Sequence, residues 1–393
     1  MEQKTGVATT VAPKEGDEFW WNLMVETLED VFYEPDVQAV RAIYAAIAAH
    51  DLTDGQPVWP MLVAPPGSAK TTILQPLGQF EHVHPIDKLT PNTFLSGQFG
   101  QSERKRKPSL LHRVGASGII VFPDFSTVLA MRPDDKAAIL ADLRRIFDGR
   151  LRKEVGTSGE ALEWIGRITC AVAVTPDIDR HYSVFQSLGE RFVMIRWHRP
   201  GGEEHAEQAA LHAMNQNPKE VQENLTLGVD LLFEDLPDGP IRVPEAIQRQ
   251  IAALGEFVVR ARTHVPRGHD KHLIYMPEAE ASTRLSQQLC QLARGSARLS
   301  RRLVANDEDM ELVTRVGFDC IPSIRREILH GHVDPTHRTT TCLPKATRSY
   351  AQEDMVSVKL LRKRGKTEQY ELTPFARRLL ETLGFTRYPH RTS

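Results

Sequence analysis

The sequence predicts an α/β fold in which a parallel sheet carries helices on both faces. Short apolar runs typical of buried strands alternate with segments of helical periodicity in the first half of the chain. Strands that alternate with helices in this way form parallel sheets. Of the 393 residues, 41% are hydrophobic and 25% are charged, which is typical of a globular protein of two or three domains.

The elements of the sheet region follow one another in a regular order. Residues 1–17 are polar and without periodicity, and we expect them to form a mobile tail. Helical spacing covers residues 18–50. The predicted strands are residues 58–63, 82–86, 118–122, 168–174 and 192–197. Predicted helices cover residues 71–79, 110–114 and 134–147, and a predicted hairpin covers residues 151–155 and 161–165.

After Gly201 and Gly202 the pattern becomes mostly helical. The predicted helices are residues 203–215, 218–232, 244–262, 277–295 and 307–331. A short helix, a two-stranded ribbon and a second helix then cover residues 347–383, an order that resembles a winged helix. Residues 345–393 contain eleven basic and five acidic residues, a net charge of +6. The whole chain carries −2, so residues 1–344 carry −8. A basic end on an acidic body indicates a polyanionic partner.

The most informative motif is Ala-Pro-Pro-Gly-Ser-Ala-Lys-Thr-Thr, residues 64–72, which resembles a phosphate-binding loop with Ala at both outer glycine positions. The loop's N–H groups and the following helix N-terminus would attract phosphates. Lys70 would reach the β- and γ-phosphates, and the Thr71 hydroxyl would ligate Mg²⁺. A plain Pro-Gly turn between a strand and a helix is the alternative. The residues predicted to bind ATP in this loop are Pro66, Gly67, Ser68, Ala69, Lys70, Thr71 and Thr72.

Ser68-Ala69-Lys70-Thr71 is familiar in one branch of the AAA+ ATPases, and the order of motifs over residues 18–331 resembles that family. The chain looks most like the branch that holds MoxR-type chaperones and minichromosome-maintenance helicases. It is also similar to uncharacterised ATPases of bacteria and mobile elements. The resemblance implies a P-loop NTPase (AAA+) core over residues 18–199, a helical lid over residues 200–335 and a basic winged-helix-like domain over residues 336–393.

The segment Gly-Ile-Ile-Val-Phe-Pro-Asp-Phe, residues 118–125, resembles the family's Walker B strand, which ends in an Asp-Glu pair. Matching it without a gap puts Pro123 at the Asp position and Asp124 at the Glu position. Shifting the match by one residue makes Asp124 the Mg²⁺ partner instead. Either way one acid is missing. We therefore expect an ATP hydrolase in which Asp124 serves catalysis, the metal or both, and in which hydrolysis is slow. The alternative is that Asp124 caps a turn.

Three more residues match the family in motif order. The resemblance makes Thr175 a sensor 1 residue that orients water, although the family usually has Asn there. It makes Arg191 an arginine finger offered to a neighbouring subunit, which implies a ring and predicts a hexamer. It makes Arg284 a sensor 2 residue that contacts ATP from the lid. The alternatives are a polar strand cap, a surface Glu-Arg pair and a solvated helix residue, respectively.

Two basic segments predict contact with DNA. They are the hairpin with Arg150–Lys153, which occupies the place of a pore hairpin in related ring ATPases, and the predicted wing Arg362–Lys366. Both segments are also compatible with solvated loops. Glu353 and Asp354 are unfavourable for a helix that reads a DNA groove. The first hypothesis is an oligomeric ATP-dependent machine that acts on DNA in a phage, mobile-element or defence setting. The alternatives are a MoxR-like chaperone that remodels a protein partner, and a nucleotide-gated DNA-binding regulator with little hydrolysis.

Composition excludes several other classes. Cys170, Cys290, Cys320 and Cys342 are scattered and form no C-x-x-C pair, so neither a disulfide framework nor a zinc site is predicted. No apolar run reaches membrane-spanning length, and the N-terminus lacks a signal-peptide core. We therefore expect a cytoplasmic protein that does not contact a membrane.

Overall fold

The computed structural model describes residues 18–96, 109–154, 161–181, 191–198, 203–333, 343–365 and 369–384. The predicted mobile tail, the turn of the predicted hairpin, and residues 188–190 before the predicted arginine finger lie outside the described residues. Lys366 of the predicted wing also lies outside them.

The described elements follow the predicted order closely. The strands are β1 (Trp59–Val63), β2 (Val83–Pro85), β3 (Ser117–Phe122), β4 (Arg150–Glu154), β5 (Ala161–Ile165), β6 (Arg167–Val174), β7 (Phe192–Arg196), β8 (Leu361–Lys363) and β9 (Tyr370–Leu372). The helices of the sheet region are α1 (Phe19–Val31), α2 (Val37–Ala48), α3 (Lys70–Leu74), α4 (Leu110–Val114), α5 (Ser126–Leu129) and α6 (Pro133–Phe147). The later helices are α7 (Glu203–Met214), α8 (Pro218–Phe233), α9 (Glu245–Arg262), α10 (Thr283–Leu299), α11 (Asp307–Asp319), α12 (Ser323–Val333), α13 (Lys345–Ser357) and α14 (Pro374–Thr382).

The five predicted core strands form one parallel sheet, with the order β2-β3-β6-β1-β7. Strand β6 therefore lies between β1 and β3. Side chains of β1 and β7 are buried throughout, as expected for a parallel sheet covered on both faces. Helices α2 and α3 share one face, where the Tyr44 hydroxyl donates to the Ile73 carbonyl. Helix α6 covers the other face, where Phe147 packs edge-on against Trp59. The predicted α/β class is confirmed.

Helix α10 crosses α2 at very close range. A Cβ at Gly295 would lie 1.9 Å from the carbonyl oxygen of Ala45, so only glycine fits there. The prediction that this helix spans residues 277–295 is wrong at both ends. The helix continues past Gly295 because this glycine serves packing rather than a helix stop. It begins only at Thr283, and Glu280, which precedes the helix, is paired with Arg262 of α9.

Two prolines also change the predicted helix boundaries. The predicted helix over residues 307–331 is two helices, which are separated at Pro322. Proline has no N–H to donate and clashes with the preceding turn of a helix. Similarly, the predicted helix 71–79 is α-helical only to Leu74, and a 3₁₀ turn with Pro76 near its start completes it.

The predicted helix–ribbon–helix order near the C-terminus is confirmed by α13, β8, β9 and α14. This C-terminal unit packs against α9 and α12. The Asp354 carboxylate accepts hydrogen bonds from Arg267 at 2.7 Å and from Arg325 at 3.1 Å. Glu353 lies 3.4 Å from Arg267. The two acidic residues of α13 therefore face the rest of the protein.

Among the described residues, no helix combines the length and the apolar character that crossing a bilayer requires.

Candidate nucleotide site

The loop after β1 is held against the sheet and then turns sharply into α3. The Ala64 N–H donates to the Val174 carbonyl of β6 at 3.0 Å. Gly67 and Ala69 both have left-handed backbones, with φ of 73° and 59°. Glycine adopts this region freely, but alanine does so at a cost. Ala69 thus takes the backbone shape of a residue that the usual motif fills with glycine.

Lys70 folds back over this loop. Its Nζ donates to the carbonyl oxygens of Ala64 and Pro65, each at 2.8 Å. The Ser68 hydroxyl donates to the same Pro65 carbonyl. Thr71 is exposed in the first turn of α3, where its hydroxyl is accessible to a ligand. The loop therefore presents an ammonium group and a hydroxyl group at the carboxyl edge of the sheet.

Asp124 and Thr175 lie at the same edge. Asp124 follows the end of β3 by two residues and is exposed, and Thr175 directly follows β6. The two segments are hydrogen-bonded: the Phe125 N–H donates to Ala173 at 2.8 Å, and the Thr175 N–H donates to the Ser126 hydroxyl at 3.2 Å. Because β6 lies between β1 and β3, Thr175 stands between the loop and Asp124.

This arrangement offers few groups for a metal ion. No group of three His, Cys, Asp or Glu residues that could hold a metal occurs in the described part of the chain. Mg²⁺ is commonly held by one or two protein oxygens together with phosphates and water. Thr71 and Asp124 suit that mode of binding, in which most ligands come from the nucleotide and water.

Arg191 lies at the opposite end of the strands, where the amino ends of β1 and β7 meet. It directly precedes β7, whose first residue is paired with Trp59 at the start of β1. The side chain is 8% exposed, lies 3.2 Å from Asp148, and stacks over the Phe147 ring at 5.5 Å. Burial, and secondly the nearby charge of Arg284, lower the pKa of Arg191. As an arginine finger, Arg191 would first have to leave Asp148.

Arg284 shares the surroundings of Arg191 rather than those of Lys70. It lies in the first turn of α10, where Gln288 donates to the Arg191 carbonyl at 2.7 Å. Strand β1, about 13 Å long at roughly 3.3 Å per residue, separates this edge from the loop. Arg284 therefore lies away from the loop of its own chain, and its contact with a nucleotide stays a prediction. The structure brings together Lys70, Thr71, Asp124 and Thr175, and it separates both arginines from them.

A polar network that no sequence motif indicates lies at the end of β7. The Arg196 guanidinium donates to Asp179 at 2.6 Å, and the His198 N–H donates to Asp36 at 2.7 Å. The His198 ring lies 3.1 Å from the fully buried Asp319. Burial alone would raise the pKa of Asp319, but the hydrogen bond to His198 and the nearby arginines lower it below its usual range. This network holds residues 196–198 in place directly beside the loop that carries Lys70.

The basic residues of the predicted DNA-binding segments are largely paired within the chain. Arg150 pairs with Glu163 at 2.5 Å, and Lys153 pairs with Asp142 at 2.5 Å. Further pairs and contacts are Arg152 with Glu154, Arg167 with the carbonyls of His50, Leu52 and Gly55, Arg362 with Glu371, and Lys363 over the Tyr370 ring. These charges are therefore partly neutralised before any partner binds.

No family model matches the chain, and no curated protein is significantly similar to it.

Proposed function

We propose that this chain is an ATP-binding ATPase of the AAA+ type, resembling the MoxR and minichromosome-maintenance branch. A single observation carries the proposal. The loop with Lys70 after β1, Thr175 after β6 and Asp124 after β3 meet at one edge of a parallel sheet. Ligands of open α/β sheets bind outside the carboxyl ends of the strands. In this proposal α8–α12 include the helical lid, and the C-terminal unit is winged-helix-like.

Each residue of the edge has a definite task in this proposal. The N–H groups around Gly67 and the ammonium of Lys70 bind the β- and γ-phosphates. Thr71 and Asp124 hold Mg²⁺, which neutralises charge on the phosphate oxygens when bound. Thr175 orients the attacking water. Because Asp124 is the only carboxylate that the Walker B-like segment supplies, we expect slow hydrolysis.

A shared site between copies explains the positions of the two arginines. Arg191 and Arg284 lie across the sheet from Lys70 of their own chain. In a head-to-tail ring, one edge of each copy faces the opposite edge of the next. We therefore propose a homo-oligomeric ring, with a hexamer as the expected size, in which Arg284 and a released Arg191 serve the neighbour's nucleotide.

For the substrate we favour a protein over DNA. The hairpin bases Arg150, Arg152 and Lys153 are engaged by acidic side chains of the same chain. In contrast, the loop between α9 and α10 exposes four consecutive apolar side chains, Leu273, Ile274, Tyr275 and Met276, which are 41%, 65%, 63% and 66% exposed. Contiguous exposed apolar groups are typical of protein contact sites. DNA binding that weakens steeply with salt, measured by fluorescence anisotropy, would contradict this preference and restore DNA as the target.

The proposal is tested by nucleotide binding and turnover. We expect the natural protein to bind Mg-ATP in equilibrium dialysis and to release phosphate slowly. Lys70→Ala should abolish binding, whereas Asp124→Asn should retain binding and lose phosphate release. Lys219→Ala, which removes an exposed lysine paired with Glu223 of the same helix α8, is the matched control and should change neither. If the natural protein fails to bind any purine nucleoside triphosphate with Mg²⁺, the proposal is wrong.

A further inference from the structure

We infer that the indole ring of Trp197 is the surface on which the purine base of the bound nucleotide stacks. This inference rests on the proposed function, in which ATP binds the loop with Lys70. Trp197 directly follows β7, and its N–H donates to the carbonyl of Val63 at 3.0 Å. Val63 is the last residue of β1 before the loop begins. The tryptophan backbone is thus hydrogen-bonded to the strand that carries the phosphate-binding residues.

The strand order sets the direction in which a nucleotide can lie. Asp124 and Thr175, assigned to the γ-phosphate end, follow β3 and β6 on one side of β1. A nucleotide whose γ-phosphate points toward these residues must extend its nucleoside toward the other side of β1. On that side β7 is the neighbouring strand and the edge of the described sheet. The base therefore lies close to the first residues after β7.

The side chain of Trp197 also belongs to the correct face of the sheet. Successive side chains of a strand point to opposite faces. Phe192 and Arg196, four residues apart in β7, point to one face, where the Phe192 ring contacts Trp59 and Trp59 packs against Phe147 of α6. Trp197, which continues the pairing with β1, therefore points to the other face. Helices α2 and α3 occupy that face, and α3 begins at Lys70. The indole is half-buried, so part of its surface remains accessible.

The residues on both sides of Trp197 are anchored. Before it, the Arg196 N–H donates to Asp319 at 2.9 Å, and the guanidinium binds Asp179. After it, the His198 N–H donates to Asp36, and the His198 ring contacts Asp319. A side chain on an anchored backbone loses less conformational freedom when a ligand stacks on it. Such an anchored aromatic side chain beside a phosphate-binding loop suits a planar base.

The natural protein provides the first test, through a comparison of ATP with ribose 5′-triphosphate. The two ligands share the ribose and the triphosphate and differ only in the base. Stacking on Trp197 predicts that ATP binds about tenfold or more tightly in isothermal titration calorimetry. ATP, but not ribose 5′-triphosphate, should also quench tryptophan fluorescence. If the two ligands bind equally, the inference is overturned while the proposed function stands. If neither binds, both are wrong.

Variants assign the effect to this residue. Trp197→Phe keeps an aromatic ring and should keep most of the preference for ATP. Trp197→Leu keeps an apolar side chain without a ring and should lower the preference about tenfold, with ribose 5′-triphosphate affinity unchanged. Trp164→Phe, at a buried tryptophan next to β6, should leave both affinities unchanged. An unchanged preference in a folded Trp197→Leu variant would overturn the inference. If that variant unfolds, the comparison of the two ligands on the natural protein decides.

Discussion

His50 is the titratable residue whose burial has the clearest consequence for stability. It lies just after α2, with Nδ1 2.9 Å from the Thr169 hydroxyl and Nε2 3.0 Å from the Ser117 hydroxyl. These hydroxyls belong to β6 and β3, so the ring ties the end of α2 to the sheet. Burial lowers the pKa of His50 from 6.5 to about 4. The folded protein therefore holds this ring neutral.

This shift predicts how stability depends on pH. The unfolded chain binds a proton to His50 near pH 6.5, whereas the folded protein resists it until about pH 4. The contribution to stability is therefore complete above pH 7 and is lost as the pH falls through that window. From pH 7 to pH 5 we expect the free energy of unfolding to fall by about 2 kcal/mol from this residue. Urea unfolding at both pH values measures it.

His50→Gln supplies the control for that measurement. Glutamine can hydrogen-bond the same hydroxyls but does not titrate, so the variant should lose about 2 kcal/mol less than the natural protein over this pH range. An identical pH dependence in both proteins would show that other groups cause the acid sensitivity.

For single residues, the sequence predicts a functional role only where the residues that act together are close in the chain. Lys70 and Thr71 belong to a contiguous motif that begins at Ala64, so local spacing was sufficient to single them out. The partners of His50, Arg196 and His198 are 119, 123 and 121 residues away, respectively. No local pattern connects such pairs, and only the folded topology shows that they interact.

Among the secondary-structure elements, the close contact between α2 and α10 is possible because Gly295 has no side chain. We predict that Gly295→Ala lowers the free energy of unfolding by about 2 kcal/mol, because the added methyl group overlaps the Ala45 carbonyl and the helices must separate. Thermal or urea unfolding measures the change. Gly78→Ala is the control, because its Cβ would meet Pro85 at an ordinary 3.7 Å. Equal effects of the two substitutions would contradict this explanation.

The strands were predictable because each is a short apolar run between polar turns, and all five sheet strands occur where expected. The helices were predictable in position but less so at their ends. Gly295 has the signature of a helix stop, and its packing role depends on α2, about 250 residues earlier in the chain. In contrast, the break at Pro322 has a purely local cause that the periodicity over residues 307–331 concealed.

For the whole molecule, a shared site between copies predicts that two inactive variants repair each other. Lys70→Ala removes the loop lysine, and Arg284→Ala removes the arginine at the opposite edge. In a mixed ring, some interfaces combine an intact loop with an intact arginine, so a mixture should regain part of the ATPase activity that either variant lacks alone. Phosphate release measured over a range of mixing ratios tests this.

Lys70→Ala mixed with Asp124→Asn is the matched control, because both substitutions damage the same edge. No copy in that mixture has both the loop lysine and the acid intact, so every site stays damaged and the mixture should stay inactive. If Arg284→Ala alone has full activity, or if the first mixture regains nothing, the shared site is contradicted.

The sequence predicted a parallel sheet and placed the loop, Asp124 and Thr175 at strand ends. It could not show that Arg191 and Arg284 lie at the far edge. That result depends on β7 pairing with β1 in register from Trp59 onward, and strand order is not encoded in any local spacing. Periodicity gives the type of each element, while the relation between distant elements comes from the assembled core.

Because the Lys70 ammonium donates to the carbonyl oxygens of Ala64 and Pro65, it can bind an anion only by exchanging these hydrogen bonds for contacts with the anion. The lysine gives up two backbone acceptors when it turns to an incoming anion, and those acceptors must then be hydrated. A singly charged anion would not offset the loss of those two hydrogen bonds, so chloride should compete poorly. The same two hydrogen bonds hold the loop between β1 and α3 in its turn, which lowers the entropic cost of ordering it when an anion binds.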